Sequence, residues 1–211
     1  MAANRRKSLG ILIVLLLFFL GMFAVSGVGV YNDSEQYITM HIHREPLYPL
    51  FLAFFRAVAG AGMGLTLAAI AQSLLTAFSI FFLIEYLQKK FSLNVIGELV
   101  ILVLELAPHL VTRYVSALRI FMESSIMSEA LCIPLFQFFI LFTLRMLFEK
   151  KKTDMLWSLL FAWLLSMTRG QMMVTILIWL IVAGIQMISS KQYKKLFLPV
   201  LAVICAFGIR S

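Results

Sequence analysis

The sequence predicts an all-α, polytopic membrane protein with six to seven transmembrane helices. Hydrophobic residues make up 62% of the 211 residues and charged residues only 13%, whereas a soluble domain is about half apolar and about a quarter charged. The apolar residues lie in long blocks, most of which approach the roughly 20 residues that a membrane-crossing helix needs. This composition excludes a soluble domain, a disordered chain and a small disulfide-bonded scaffold.

The first apolar block covers residues 9–30 and follows three basic residues at positions 5–7. A retained membrane anchor and a cleaved signal peptide both fit this block, because residues 24–26 resemble a cleavage site. The apolar stretch is long for the hydrophobic region of a signal peptide, which favours the anchor. With either interpretation, the residues that follow lie outside the cytoplasm.

Residues 31–58 are predicted to form an outer loop followed by a surface helix. The segment 31–46 is polar, and the apolar stretch 47–58 follows it. Twelve helical residues are about 18 Å long, which is too short to cross a bilayer core of about 30 Å. We therefore expect an amphipathic or re-entrant helix on the outer face, separated from the next span by Gly60, Gly62 and Gly64.

The rest of the chain predicts six further spans. Residues 155–188 are expected to form a helical hairpin with a polar tip at 168–171, because a single helix of this length would be about 51 Å long. Pro108 is expected to break the third span near its end. The predicted spans after the first are residues 63–87, 95–111, 126–148, 155–168, 172–188 and 196–209.

The basic residues predict that the N-terminus is cytoplasmic and that the protein is a multi-pass protein of the cell membrane. The chain has a formal net charge of +8, and in so apolar a chain this excess indicates topology, not nucleic-acid binding. Lysine and arginine are divided unevenly between the two sides. The cytoplasmic segments hold all nine lysines and three arginines, whereas the outer segments contain five arginines and no lysine. Arginine has a planar fork that suits phosphate or carboxylate. The outer arginines are Arg44, Arg56, Arg113, Arg119 and Arg169.

The sequence provides no strong metal or disulfide signal. Cys132 and Cys205 both lie inside apolar blocks, so they predict neither a disulfide framework nor a metal site. His41 and His43 are two residues apart, which places both side chains on one face only in an extended strand. Helical zinc-binding histidines are spaced differently, and no further paired ligand lies nearby.

Acidic residues are concentrated in the outer loop and at the outer ends of spans. Asp33 and Glu35 follow the first span, and Glu129 lies one turn into the fourth. A solvated loop and a water-filled cavity between helices both explain the loop acids. Glu98 and Glu105 share one face of the third span, where structural pairing or protonation is the commoner explanation for acids within a span.

Arg169 lies at the predicted tip of the hairpin. The sixteen residues 153–168 give about 24 Å of helix, so the tip should lie below the outer surface of the membrane. An arginine at that depth costs a few kcal/mol unless its side chain reaches the surface or meets an anion. Snorkelling and a cavity for an anionic head group are the two alternatives.

Four short motifs occur in a familiar order. They are Asp-Ser-Glu-Gln-Tyr at 33–37, Arg-Glu-Pro-Leu-Tyr-Pro at 44–49, Ser-Glu-Ala-Leu at 128–131 and Leu-Ser-Met-Thr-Arg at 165–169. Their order resembles the GT-C superfamily of membrane glycosyltransferases, in particular the dolichyl-phosphate-mannose protein mannosyltransferase family and its lipid A aminoarabinose transferase-like members. The chain has Gly170 where many relatives have proline, and it has fewer spans than they do. The resemblance therefore predicts the N-terminal part of a longer enzyme, or a truncated product.

The resemblance implies inverting transfer of a sugar from a polyprenyl-phosphate donor to a lipid, polysaccharide or protein acceptor at the outer face. It implies that Asp33 is the catalytic base and that Arg169, with Arg44, binds the donor phosphate. Glu35, Tyr37 and Glu129 are further candidate site residues. A divalent metal assists some relatives, but no ligand set in this sequence requires a metal or another cofactor. A transporter fragment and a non-catalytic membrane scaffold are the alternatives.

Overall fold

The computed structural model describes residues 2–116 and 119–189. The elements in this part of the chain are all helical, which confirms the predicted all-α class. Short helical turns cover Val111–Val115 (π-helical), Met122–Ser124 and Gly170–Met173 (both 3-10). The α-helices are α1 (Ala2–Ser26), α2 (Ser34–Ile38), α3 (Leu47–Ala59), α4 (Ala61–Phe91), α5 (Val95–Leu110), α6 (Ser128–Glu149), α7 (Lys152–Thr168) and α8 (Val174–Ser189).

Five helical segments in the described part of the chain are long and apolar enough to cross a membrane. This finding supports a membrane-associated protein. The predicted span at 196–209 and the basic residues 191–195 lie outside the described residues. The five segments are Ser8–Ser26, Ala61–Phe91, Val95–Val115, Ser128–Glu149 and Gly170–Ile188.

Most helix boundaries differ from the predicted spans by a few residues, and three differences are informative. Helix α1 ends at Ser26, four residues before the predicted boundary, because Gly27 has a φ of 66°. Helix α4 is longer at both ends than the predicted span. Pro108 lies inside α5, and the helical backbone continues past it through the π-helical turn Val111–Val115, so the break expected at Pro108 is wrong.

The α7–α8 hairpin is present and antiparallel. Trp179 Nε1 donates to Ser158 Oγ at 2.8 Å, and Thr175 Oγ1 donates to the carbonyl of Ala162 at 3.3 Å. Polar contacts of this kind hold helices together inside lipid, because the hydrophobic effect does not drive helices to associate there. The turn between these helices therefore presents Arg169 at a fixed end of the bundle.

The loops at this same end of the bundle are joined to one another. Gly29 N donates to the carbonyl of Ser124 at 2.9 Å, and Ile126 N donates to the carbonyl of Gly29 at 2.8 Å. Ser34 Oγ donates to the carbonyl of Ile126 at 2.7 Å. The loop after α1 and the loop before α6 therefore form one unit, which we call the loop end of the bundle.

Helices α3 and α4 pack closely where Gly64 faces the backbone of α3. A Cβ atom at Gly64 would lie 2.5 Å from Arg56 Cα, whereas a Cβ at Gly62 would meet nothing within 4 Å. We expect Gly64→Ala to lower the thermal unfolding midpoint in detergent by about 5 °C, because overpacking forces the two helices apart. Gly62→Ala is the matched control, and an equal effect of both substitutions would contradict this packing.

Candidate functional site

Asp33 and Tyr37 are positioned by α2, a single helical turn in the loop after α1. Asp33 occupies the N-cap position of this helix, but its side chain does not cap it. Ser34 is fully buried, and its hydroxyl accepts from Tyr31 N and donates to the carbonyl of Ile126. These contacts fix α2 on the loop before α6, so that the Tyr37 side chain faces inward.

Arg44 connects the two ends of this turn. Its guanidinium forms an ion pair with Asp33, with 3.0 Å between Nη2 and Oδ1. Nε donates to Gln36 Oε1 at 2.8 Å, and Nη1 donates to the Tyr37 hydroxyl at 3.2 Å. The planar fork of arginine allows these simultaneous contacts.

Tyr37 connects the loop to α6 and to the tip of the α7–α8 hairpin. Its hydroxyl lies 3.0 Å from Ser128 Oγ, which in turn donates to Glu129 Oε2 at 3.2 Å. Glu129 Oε1 forms an ion pair with Arg169 Nη1. A continuous chain of polar contacts therefore runs from Asp33 to Arg169.

We call this chain of side chains the polar network. It brings together five of the six candidate site residues, which come from three separate parts of the sequence. Glu35 is the exception, because its exposed side chain makes no contact with the network. The members of the polar network are Asp33, Arg44, Tyr37, Ser128, Glu129 and Arg169.

Arg169 has a partner that neither sequence-based alternative included. Its backbone is extended, with φ −153° and ψ 128°, at the point where α7 ends. The side chain is 34% exposed and pairs with Glu129, which is 29% exposed. A carboxylate of the same chain therefore meets the guanidinium in this structure.

Two buried polar side chains, Tyr48 and Gln72, pack on the inner side of Tyr37. The rings of Tyr37 and Tyr48 meet edge to face, with centroids 5.1 Å apart. Tyr48 donates to Gln72 Oε1 at 3.4 Å. Burial raises the pKa of Tyr48, with a smaller contribution from the neighbouring Tyr37, so its phenol remains a neutral donor.

Sequence reasoning missed Gln72, although a signal was present. Gln72 is a fully buried amide inside the apolar run of α4. A side-chain amide in such a position must find partners, because an unsatisfied polar group in an apolar interior is costly. Its Nε2 donates to the carbonyls of Glu123 and Ser125, both at 2.8 Å.

The acidic residues of α5 pair with amides of neighbouring helices. Glu105 accepts from Gln137 Nε2 at 2.9 Å, and Glu98 accepts from Gln88 Nε2 at 2.5 Å. Their pairing agrees with the structural role expected of two acids on one helix face. It places them outside the polar network.

The two loop histidines lie close together without further ligands. Their ring centroids are 5.1 Å apart, and both side chains are exposed. Within residues 2–116 and 119–189, no group of three or more His, Cys, Asp or Glu side chains could hold a metal ion.

A comparison of the chain with protein-family models, curated proteins and solved structures finds no match.

Proposed function

We propose that this chain is a GT-C-type membrane glycosyltransferase, which moves a sugar from a polyprenyl-phosphate donor to an acceptor hydroxyl with inversion. The polar network carries this proposal, because it joins carboxylates and arginines from the loop, α6 and the hairpin tip. Sugar transfer from a lipid phosphate needs a base for the acceptor and cations for the leaving phosphate. Both kinds of group occur in this network.

Asp33 is the proposed base. Its side chain is 53% exposed, and the ion pair with Arg44 uses only Oδ1. In the proposed reaction the acceptor oxygen attacks the anomeric carbon, and the bond from that carbon to the phosphate oxygen breaks. The hydroxyl proton passes to Asp33, and the polyprenyl phosphate leaves with the bonding electron pair.

Arg169 is the proposed phosphate ligand, and Arg44 is the second. Arg169 uses Nη1 for Glu129, and its remaining N–H donors are suited to a phosphate oxygen. Arg44 lies on the same network through the Tyr37 hydroxyl. Donor phosphate held at Arg169 would then be stabilised as its charge develops in the transition state.

The proposal places the polar network on the extracytoplasmic side of the cell membrane. Glu35 and Lys151 are both exposed and lie at opposite ends of the bundle. We expect single cysteines at these positions to react with a membrane-impermeant maleimide from opposite sides of the membrane. Labelling of both from the same side would contradict the proposed topology.

The direct test uses undecaprenyl phosphate as the probe. The full gene product, purified in detergent, should bind undecaprenyl phosphate and should not bind phosphatidylglycerol at the same concentration. Membranes that contain it should also transfer label from a radioactive nucleotide sugar, loaded onto polyprenyl phosphate by other enzymes, to an acceptor. Equal binding of the two lipids, together with no transfer, would disprove the proposal.

A further inference from the structure

A buried acid on the loop before α6 pairs with a buried histidine of α5. Glu123 is fully buried, and its Oε1 lies 2.5 Å from Nδ1 of His109. The His109 side chain is only 5% exposed, and the Phe19 ring meets it edge to face with centroids 5.1 Å apart. Apart from this close contact with His109, neither oxygen of the Glu123 carboxylate has a hydrogen-bond partner among the described residues. Burying such a pair is costly, and apolar side chains of similar volume often replace it without loss of stability.

The backbone of Glu123 is held as firmly as its side chain. Its carbonyl accepts from Gln72 Nε2 at 2.8 Å and from Ser73 Oγ at 3.3 Å. Gln72 Oε1 accepts from the Tyr48 hydroxyl, and the Tyr48 ring packs against the ring of Tyr37. The carboxylate fixes this loop to α5, and the carbonyl fixes it to α4.

The residues that follow Glu123 carry these constraints to the polar network. The carbonyl of Ile126 holds Ser34, the first residue of α2. Two residues later, the Ser128 hydroxyl contacts both Tyr37 and Glu129. The short loop 123–128 therefore supports both halves of the network, the Asp33–Arg44 half and the Glu129–Arg169 half.

We propose that His109 and Glu123 are positioning residues, which set the distance between the proposed base and the proposed phosphate ligand. This inference rests on the proposed function. Neither side chain touches the polar network, so both act through the loop 123–128. Two other ionisable groups lie four positions from His109 along the chain, Glu105 on α5 and Arg113 in the turn that follows α5. Arg113 Nη1 donates to the carbonyl of Arg119 at 2.7 Å, so it reaches the loop before α6 at a point ahead of residues 123–128.

Two substitutions at His109 test this role with matched chemistry. Asparagine places an amide N–H close to the position of Nδ1, whereas glutamine places the same group one bond further out. Both satisfy the Glu123 carboxylate, so both variants should fold. We expect His109→Asn to keep the transfer kcat within threefold of the wild type. His109→Gln should lower kcat about tenfold to a hundredfold with little change in KM, because a displacement near 1 Å is costly in transfer reactions.

A distance measurement gives a readout that is independent of activity. Spin labels at Glu35→Cys and Gln171→Cys, both exposed, would report the separation of the two halves in a protein without its native cysteines. The His109→Gln variant should shift or broaden this distance distribution, and His109→Asn should not. Unchanged distances and rates in both variants would overturn the positioning role. Absence of transfer in the wild type, with a distance shift in His109→Gln, would instead disprove the proposed function alone.

A double apolar variant keeps the test decisive if His109→Gln fails to fold. His109→Leu combined with Glu123→Leu removes both members of the buried pair together, which often preserves stability. With a thermal midpoint close to that of the wild type, this variant should show the altered label distance and the lower kcat. A stable double variant with the wild-type distance would overturn the proposal.

Discussion

Replacing Asp33 with asparagine is expected to lower sugar transfer by about a hundredfold or more, because asparagine has nearly the same shape but cannot accept the acceptor proton. The measurement is the transfer rate from a radiolabelled polyprenyl-phosphate sugar in membranes that contain the full gene product. Binding of undecaprenyl phosphate should survive, because the lipid phosphate is assigned to arginine. Arg44 also keeps its contacts with Gln36 and Tyr37 in this variant.

Glu35→Gln is the matched control for Asp33→Asn. Both residues belong to the same turn of the loop, but Glu35 is exposed and lies outside the polar network. Its substitution should leave the transfer rate within about twofold of the wild type, as is usual for a solvated side chain. A large loss in Glu35→Gln with normal activity in Asp33→Asn would move the base to Glu35. Normal activity in both variants would show that neither acid of this loop is the base.

Arg169→Lys is expected to weaken the binding of undecaprenyl phosphate about tenfold, which corresponds to about 1.4 kcal/mol. Lysine keeps the positive charge but loses the planar fork that can hold Glu129 and a phosphate oxygen together. The measurement is the Kd in detergent, with the thermal midpoint recorded in parallel. Equal Kd values for the variant and the wild type would show that Arg169 pairs with Glu129 only for structural reasons.

Arg145→Lys provides the control, because Arg145 of α6 also forms an ion pair with an acid of α7. Its Nε lies 3.1 Å from Asp154 Oδ1, and its side chain is 34% exposed, as is that of Arg169. This pair lies at the opposite end of the two helices. We expect the two lysine variants to lose similar stability, but only Arg169→Lys should lose affinity for the lipid phosphate.

The all-α class and the apolar helices could be predicted because they follow from composition and block length. The hairpin tip at Arg169 was also predictable, since helix length alone showed that the segment had to turn. The contacts between distant residues were not predictable. Nothing in the local pattern shows that Tyr37 meets Ser128, or that Glu129 rather than solvent meets Arg169.

Helix termini were predicted less well because backbone geometry decides them. Hydrophobicity continues to residue 30, but Gly27 with its positive φ ends α1 earlier. The short helix α2 has no periodic apolar pattern, and the contacts of Ser34 hold it in place. No local pattern singles out His109, because its partner Glu123 is fourteen positions away and contacts it only in the folded chain.

The polar network contains two carboxylates and two guanidinium groups, so its formal charges cancel. A balanced set of this kind produces little electric field beyond the Debye length, which is about 8 Å at physiological ionic strength. An anionic lipid would thus gain little long-range attraction from the network, in contrast to a lysine-rich patch. Its capture would depend on short-range contact after lateral diffusion in the bilayer, so added salt should change the association rate only slightly.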